Sequence, residues 1–268
     1  MEDRTGFRQV VARAHSVAAA SRRNLRRRAR FVWPPVGFVR FGSLRRLTPI
    51  SRRFGSDRGR PIDRYYIESF LARHAGESGW VAGDIRGRVL EVGEDLYARK
   101  FGGWRADGSP VRKVDVLSAD ESNPRATVVA DLASGEGLED AAYDCVICTQ
   151  TLLLIYEVKD AVRTIERVLA PGGVLLATVP GISQLCRPYS DLDGDYWRFT
   201  SRSARRLFEE FFPPQNVTVE AHGNVLSAIA FLEGIAAEEL RREELDVRDP
   251  DYEVLIAIRA RKEPASQG

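Results

Sequence analysis

Apolar and polar positions change rhythm several times along this chain. From residue 87 onward, short runs of Val, Ile and Leu alternate with stretches in which apolar residues recur every three or four positions. Short, continuously apolar runs read as strands buried on both faces. The pattern predicts strands over Arg88–Val92, Arg112–Leu117, Thr127–Ala130, Cys145–Cys148, Val174–Val179, Val217–Ala221 and Tyr252–Ala260. Helical spacing is clearest in Val158–Leu169, through Val158, Ala161, Val162, Ile165 and Val168, with Pro171-Gly172-Gly173 as its stop. A second helix opens at Asp63 as N-cap, carries Ile67, Phe70 and Leu71 on one face, and ends at Gly76. A third follows Thr200 or Ser201 to about Phe211. A fourth, Leu226–Leu240, is inserted before the last strand. Strand and helix in alternation predict an α/β fold: a doubly wound, mostly parallel seven-stranded sheet.

The first 64 residues break this rhythm. They hold 17 arginines against four acids, a balance of +13, which leaves −11 for the remainder of a chain whose net charge is only +2. Arg22-Arg23-Asn24-Leu25-Arg26-Arg27-Arg28 is the centre of this basic N-terminal extension, and Pro34-Pro35 ends any helix within it. The expected organisation is a partly flexible basic arm (1–47), an N-terminal lid and helix (48–86), a catalytic domain (87–262) and a tail (263–268). The arm reads either as a loosely held tail or as a segment that touches phosphate groups on a membrane surface, a nucleic acid or an anionic substrate. No run of about 18 apolar residues is present, so no transmembrane helix is expected. The protein is expected to be cytoplasmic, with the inner membrane surface as the alternative.

Three cysteines give no disulfide framework. Cys145 and Cys148 fall inside one apolar run, where an extended backbone points them to opposite faces, so a buried structural role is expected. Three scattered histidines predict no metal site.

Chemistry is concentrated at the expected strand ends. Glu91 ends the first strand and Gly93 follows, in Gly87-Arg-Val-Leu-Glu-Val-Gly93. A carboxylate there repels a pyrophosphate but suits an ammonium, and the glycine lets a ligand approach the backbone. Asp115 belongs to the second strand, where an acid near the strand end can accept ribose hydroxyls. Asp131 follows the third, placed to accept from an adenine amino group while Leu132 packs on the ring. Read as ordinary surface groups, the same acids are an edge charge and a helix cap.

These residues resemble class I S-adenosylmethionine-dependent methyltransferases of the type 11 group. The resemblance spans Gly87 to Val179 and rests on Val89-Leu-Glu-Val-Gly93, Ala130-Asp-Leu132, Tyr143-Asp-Cys-Val-Ile-Cys-Thr-Gln-Thr-Leu152 and Val168-Leu-Ala-Pro-Gly-Gly-Val-Leu-Leu-Ala-Thr-Val-Pro180. The flanks, Arg58-Gly-Arg-Pro-Ile-Asp-Arg-Tyr-Tyr66, Asp195-Tyr-Trp-Arg-Phe-Thr200 and Gly223-Asn-Val225, look like a bacterial subgroup associated with glycan and cell-envelope biosynthesis. The resemblance implies a Rossmann-like fold and S-adenosylmethionine as cofactor. It implies Glu91 and Gly93 by the methionine part, Asp115 at the ribose with Asp120 or Glu121 as rivals, Asp131 and Leu132 at the adenine, and Thr149 and Gln150 on the sulfonium side. The family's E-x-G-x-G is here Glu91-Val-Gly-Glu-Asp95. Acid replaces the second glycine, which calls for a wider turn.

For the acceptor, a small molecule or a sugar, with or without phosphate, the candidates are Tyr65, Tyr196, Arg198 and His222. Aromatics beside an arginine suit a sugar ring and a phosphate. His222 is a candidate base, Asp191, Asp193 and Asp195 form an acidic loop, and Asp63, Arg64 and Tyr65 are candidates for a lid. No catalytic residue is assigned. A nicotinamide oxidoreductase is disfavoured because no G-x-G-x-x-G surrounds Glu91. A nucleic-acid methyltransferase is disfavoured by few aromatics in the arm and no N-P-P-Y or D-P-P-Y after the fourth strand. A non-catalytic binding protein on the same fold remains the other reading.

Overall fold

The computed structural model describes residues 34–35, 37–75, 83–102, 110–187 and 194–265. The chain forms two compact units, Met1–Leu47 and Thr48–Gly268. In the first, the described residues carry one 3-10 turn, Gly42–Leu44, with no buried side chain. The arginine cluster at 22–30 and the expected helix stop at Gly76 lie outside the described residues.

The second unit is built on the predicted seven-stranded sheet: β1 (Gly87–Val92), β2 (Val111–Ser118), β3 (Val128–Val129), β4 (Tyr143–Thr149), β5 (Leu169–Pro180), β6 (Val217–His222) and β7 (Leu255–Arg261). Their order across the sheet is β3-β2-β1-β4-β5-β7-β6. The first five positions are parallel. β7 runs antiparallel to both β5 and β6, so β6 points the same way as β5. The order reverses between β1 and β4, which makes the crevice beyond their carboxyl ends the switch point of the sheet.

Among the described residues six helices cover it: α1 (Ile62–His74), α2 (Leu96–Phe101), α3 (Val158–Val168), α4 (Ser201–Glu209), α5 (Val225–Glu233) and α6 (Arg242–Asp246). One buried cluster joins α1, α2, α5 and α6 to one face of the sheet, and another joins α3 and α4 to the opposite face. Cys145 belongs to the first cluster and Cys148 to the second, on opposite faces as the strand period requires. Burial raises both thiols, Cys148 to about 12. The connections from β2 to β3 and from β3 to β4 carry no helix.

Several boundaries differ from the sequence reading, each for a local reason. Pro61, not Asp63, is the N-cap of α1; Asp63 lies inside the first turn and accepts only the N–H of Arg64, at 2.8 Å. The Pro171-Gly-Gly173 segment runs on as strand, so β5 starts at Leu169. The inserted helix stops early because Gly234 takes a left-handed conformation (φ +67°), where a β-carbon would collide with the Ser51 carbonyl oxygen. A 3-10 turn, Ala237–Glu239, and α6 complete the insertion.

The segments on either side of the core hold this insertion down. Arg58 donates to Glu239 at 2.8 and 2.6 Å, and the N–H of Arg60 donates to Glu238 at 2.8 Å. Asn224 caps α5 through the N–H groups of Leu226 and Ser227, and donates its amide to the carbonyls of Glu244 and Val247 at 2.7 and 2.8 Å. The joint between α1 and β1 is fixed to β7, where Arg259 grips Asp84 at 2.7 and 2.8 Å while His74 lies 2.8 Å from the same carboxylate. Burial works against that charge, but the Arg259 and His74 contacts outweigh it and hold the Asp84 carboxyl well below its usual range.

Candidate active site at the switch point

The turn after β1 is organised by its own strand. Glu91 is 3% exposed, and its carboxylate accepts the N–H groups of Tyr97 at 3.0 Å and Ala98 at 2.7 Å. Both belong to the first turn of α2, whose N-cap, Asp95, makes no side-chain cap. Glu91 thus satisfies donors that the helix itself leaves open. Burial raises its pKa to about 7; the two N–H groups oppose the shift, and Asp95 and Glu94 add to it. The carboxylate expected to meet an ammonium is thus engaged in capping α2.

Gly93 has φ +90°, and a β-carbon added there would meet nothing within 4 Å. This is open space beside an accessible backbone. Its N–H donates to the Leu117 carbonyl at 2.8 Å, and its own carbonyl accepts the Asn123 amide at 2.6 Å. Sequence reasoning missed Asn123; its only signal was the polar turn Asp120-Glu-Ser-Asn-Pro. The head of α1 reaches this turn, for Arg64 donates to the Tyr97 hydroxyl at 3.3 Å. Burial opposes the Arg64 charge, but Asp63, Tyr97 and Glu94 outweigh it and hold the guanidinium above its usual range. Burial raises Asp63. Glu91, Glu94 and Asp95 thus flank Gly93 along the chain, Asp95 is paired to Arg99, and Asp63 and Arg64 approach the same turn through Tyr97.

Asp115 stands elsewhere. It pairs with Leu90 in mid-strand, three residues before β2 ends, and is buried. Its carboxylate meets Arg88 at 2.9 Å and Lys113 at 2.8 Å, side chains rooted further from the carboxyl edge. Burial raises its pKa, but those two cations outweigh it and the net shift is downward. The expected ribose role of Asp115 is corrected on this geometry, because its oxygens are committed inside the sheet. The rival Asp120 lies past the strand end, exposed, with its carboxylate accepting the Ser122 N–H at 2.8 Å. Asp131 is also exposed at the edge, where it accepts the Ala133 N–H at 2.8 Å. Leu132 turns inward and is buried with Leu90 and Leu117, so it offers no face to a ring.

Thr149 ends β4 beside Thr178 of β5. Gln150 follows with φ +52°, unusual for a residue with a β-carbon. Its side-chain amide nitrogen and the Thr178 hydroxyl are buried polar atoms without a protein partner. Such groups are costly unless something else satisfies them. Glu91, Gly93, Asp131, Thr149 and Gln150 are all placed at the carboxyl ends of β1, β3 and β4. A cavity of about 270 Å³, lined by Asp95, Arg99, Val114, Val116, Arg125 and Thr127, opens on the α2 flank of β2 and contains none of them.

The acceptor candidates separate. Arg198 is held in place: it grips Asp195 at 2.5 and 2.9 Å and donates to the carbonyls of Gln184 and Trp197, which commits both terminal nitrogens away from the expected phosphate, while its buried Nε has no partner. Tyr65 donates to Asp246 at 2.6 Å and bolts α1 to the insertion. His222 is 5% exposed, stacked on Tyr66, with Nε2 unpartnered. Burial first, then Arg248 and Arg73, lower its pKa to about 4, which makes it a weak base. It also lies three strands from β4, roughly 14 Å at a strand spacing of about 4.8 Å. Asp191 and Asp193 lie outside the described residues. Tyr196 remains available at 49% exposed, and it meets Tyr156 edge-on at 5.3 Å. Tyr156, 61% exposed, stacks on Trp197 at 5.8 Å, and Trp197 donates to the Ile155 carbonyl at 3.0 Å. This aromatic shelf adjoins the 3-10 turn Leu152–Leu154, just past β4. Tyr156 was missed because it follows four apolar residues that read as core.

Among the described residues no group of three His, Cys, Asp or Glu side chains is placed to share a metal ion, and no helix is long and apolar enough to cross a membrane.

Residues 104–177, from shortly after α2 through most of β5, match a family model described as a methyltransferase domain (Methyltransf_11). No curated protein matches the chain. Solved structures with remote likeness include the cyclase SpnF, at 18% identity over 78% of this chain and 85% of that one, TM-score 0.48. A SAM-dependent methyltransferase from Archaeoglobus fulgidus matches at 14% identity over 74% and 94%, TM-score 0.45. A Haemonchus contortus phosphoethanolamine N-methyltransferase 2, in complex with S-adenosyl-L-methionine, matches at 15% identity over 75% and 52%, TM-score 0.46.

Proposed function

We propose that the chain is an S-adenosylmethionine-dependent methyltransferase, with its cofactor at the β1/β4 switch point and a ring-bearing acceptor, such as a sugar, on the Tyr156–Tyr196 shelf. One observation carries the reading: an open glycine turn flanked by Glu91, Glu94 and Asp95 at the place where a doubly wound sheet binds its ligand. An acidic rim disfavours a pyrophosphate and suits a ligand with an ammonium and a sulfonium. The orphaned Gln150 amide and Thr178 hydroxyl, side by side past β4 and on β5, supply polar groups for such a ligand. The match of residues 104–177 to a methyltransferase domain supports the same assignment.

In this reading Glu91 and the Gly93 backbone hold the methionine end, Asp120 takes the ribose hydroxyls in place of Asp115, and Asp131 accepts from the adenine. Bound there, the cofactor supplies an electrophilic methyl group on sulfur. The protein's part is alignment and exclusion of water: Gly93 sets the depth, and Gln150 and Thr149 wall the β4 side. His222 is too weakly basic and too far along the sheet to take an acceptor proton. The shelf presents two exposed rings that suit the C–H face of a sugar or another planar group.

Calorimetric titration with S-adenosylhomocysteine, with NADH as the control dinucleotide, tests the assignment. Saturable binding of the first and none of the second is expected. Binding of NADH alone, or of neither, would refute it. Quenching of aromatic fluorescence by a sugar panel tests the shelf; a response that survives Tyr156→Ala with Tyr196→Ala would remove the acceptor assignment.

A further inference from the structure

We propose that the protein docks on an anionic lipid bilayer through the outer face of α5, with the arginine-rich first unit, joined to the second at Thr48, adding a basic attraction of its own. The nine residues of α5 are Val-Leu-Ser-Ala-Ile-Ala-Phe-Leu-Glu. Ser227, Ala228, Ala230 and Phe231 are buried against the body. The other side of the same helix shows Val225, Leu226, Ile229 and Leu232 to solvent, each between 42 and 46% exposed. A helix that is apolar all round needs cover on both sides. The body covers one side only.

The surroundings indicate what covers the other. Thr48–Gly268 begins beside this helix: the Ser51 N–H donates to the Glu233 carbonyl at 3.0 Å, and Gly234 abuts Ser51. Exposed Arg52 and Arg53 come next. The first unit, taken by itself, carries the same two signals. Phe38, Val39, Phe41 and Leu47 are exposed and interleaved with exposed Arg40, Arg45 and Arg46. Residues 1–47 hold 12 arginines and two acids, an excess of +10. Apolar insertion and basic attraction are the two signals that together give stable anchoring at a lipid surface, where one alone is marginal.

The aliphatic stripe decides between partners. Nucleic acid rewards arginine and stacking aromatics, but offers nothing to Val225, Leu226, Ile229 and Leu232. A second copy of the chain is a poor occupant, because nine helical residues span only about 13 Å. At about 10 Å across, such a helix face offers on the order of 150 Å², well short of the roughly 800 Å² per partner that a stable interface buries.

The test is flotation of the full chain with phosphatidylcholine vesicles containing one third phosphatidylglycerol, and with phosphatidylcholine alone. Binding to the anionic vesicles only is expected. Leu226→Ser, Ile229→Ser and Leu232→Ser together should weaken it by about tenfold or more at an unchanged melting temperature. Arg40→Gln, Arg45→Gln and Arg46→Gln together should weaken it to a similar degree. Equal binding to both vesicles, no binding to either, or full binding by the serine variant would overturn the proposal. So would a wild-type dimer that the serine variant dissolves, or tighter binding to an RNA oligonucleotide than to the anionic vesicles.

Discussion

Replacing Glu91 by Gln should change how stability depends on pH more than it changes stability at any one pH. Free in an unfolded chain the carboxyl titrates at 4.5; in the fold it is pushed up to about 7. The cause is burial first, opposed by the Ala98 and Tyr97 N–H groups and reinforced by Asp95 and Glu94. The folded state therefore binds this proton more tightly than the unfolded state does. Its contribution is fully present below pH about 4.5 and is lost as pH rises through about 7. At about 1.4 kcal/mol per pH unit, the loss is about 3 kcal/mol. Glutamine does not titrate, so the variant lacks this slope. It also keeps one acceptor for the two α2 N–H groups and loses the other, a constant cost of about 1–2 kcal/mol. Urea unfolding of both proteins from pH about 5 to about 8 is the assay. The stability of the variant relative to wild type should rise by about 2–3 kcal/mol across that range. Other carboxyls, Asp84 and Asp115 among them, titrate alike in both proteins and cancel in the difference. A difference that stays flat would refute the burial argument. If a cationic ligand end binds beside Glu91, it lowers that pKa, so S-adenosylhomocysteine binding near neutral pH should release protons, seen as a buffer-dependent binding enthalpy.

Three further outcomes follow from the geometry. Gly93→Val forces a branched side chain into φ +90°; it should cost about 1–2 kcal/mol in unfolding experiments and abolish S-adenosylhomocysteine binding in calorimetry. Asp115→Asn should lower the melting temperature while leaving ligand affinity unchanged, whereas Asp120→Ala should weaken affinity by about tenfold, the worth of one charge-assisted hydrogen bond, at unchanged stability; the reverse pattern would restore Asp115 to the ribose. Asp84→Ala removes the partner of Arg259 and His74 and should cost about 2–3 kcal/mol at neutral pH; because the Asp84 carboxyl is held below its usual range, the gap between variant and wild type should close as pH falls below about 4.

The sheet was legible because its strands are short, apolar on both faces and separated by turn residues, so period and length agreed. The α2 helix was not, since six residues are too few to show a helical period. Its start is set by Glu91, a residue of the preceding strand, through bonds that no local pattern announces. Asp115 shows a similar limit. The sequence places an acid on β2 with Lys113 two residues before it on the same face, but only the parallel register with β1 reveals that Arg88 claims it too. The places of Gly93 and Asp131 just past β1 and β3 were readable because they follow from strand ends alone. Arg198 carried an unused local signal, an acid three residues earlier at Asp195 that becomes its partner. Leu132 was misread because a turn of the chain after β3 points it inward, and that direction depends on Leu90 and Leu117 behind it.

A crystal structure grown with S-adenosylhomocysteine tests the central claim most directly. The ligand is predicted beyond the ends of β1 and β4, its amino-acid end against Gly93 and Glu91, its ribose at Asp120 and its adenine at Asp131. A ligand seated elsewhere, or an empty switch point in crystals of protein that binds it in solution, would contradict the account.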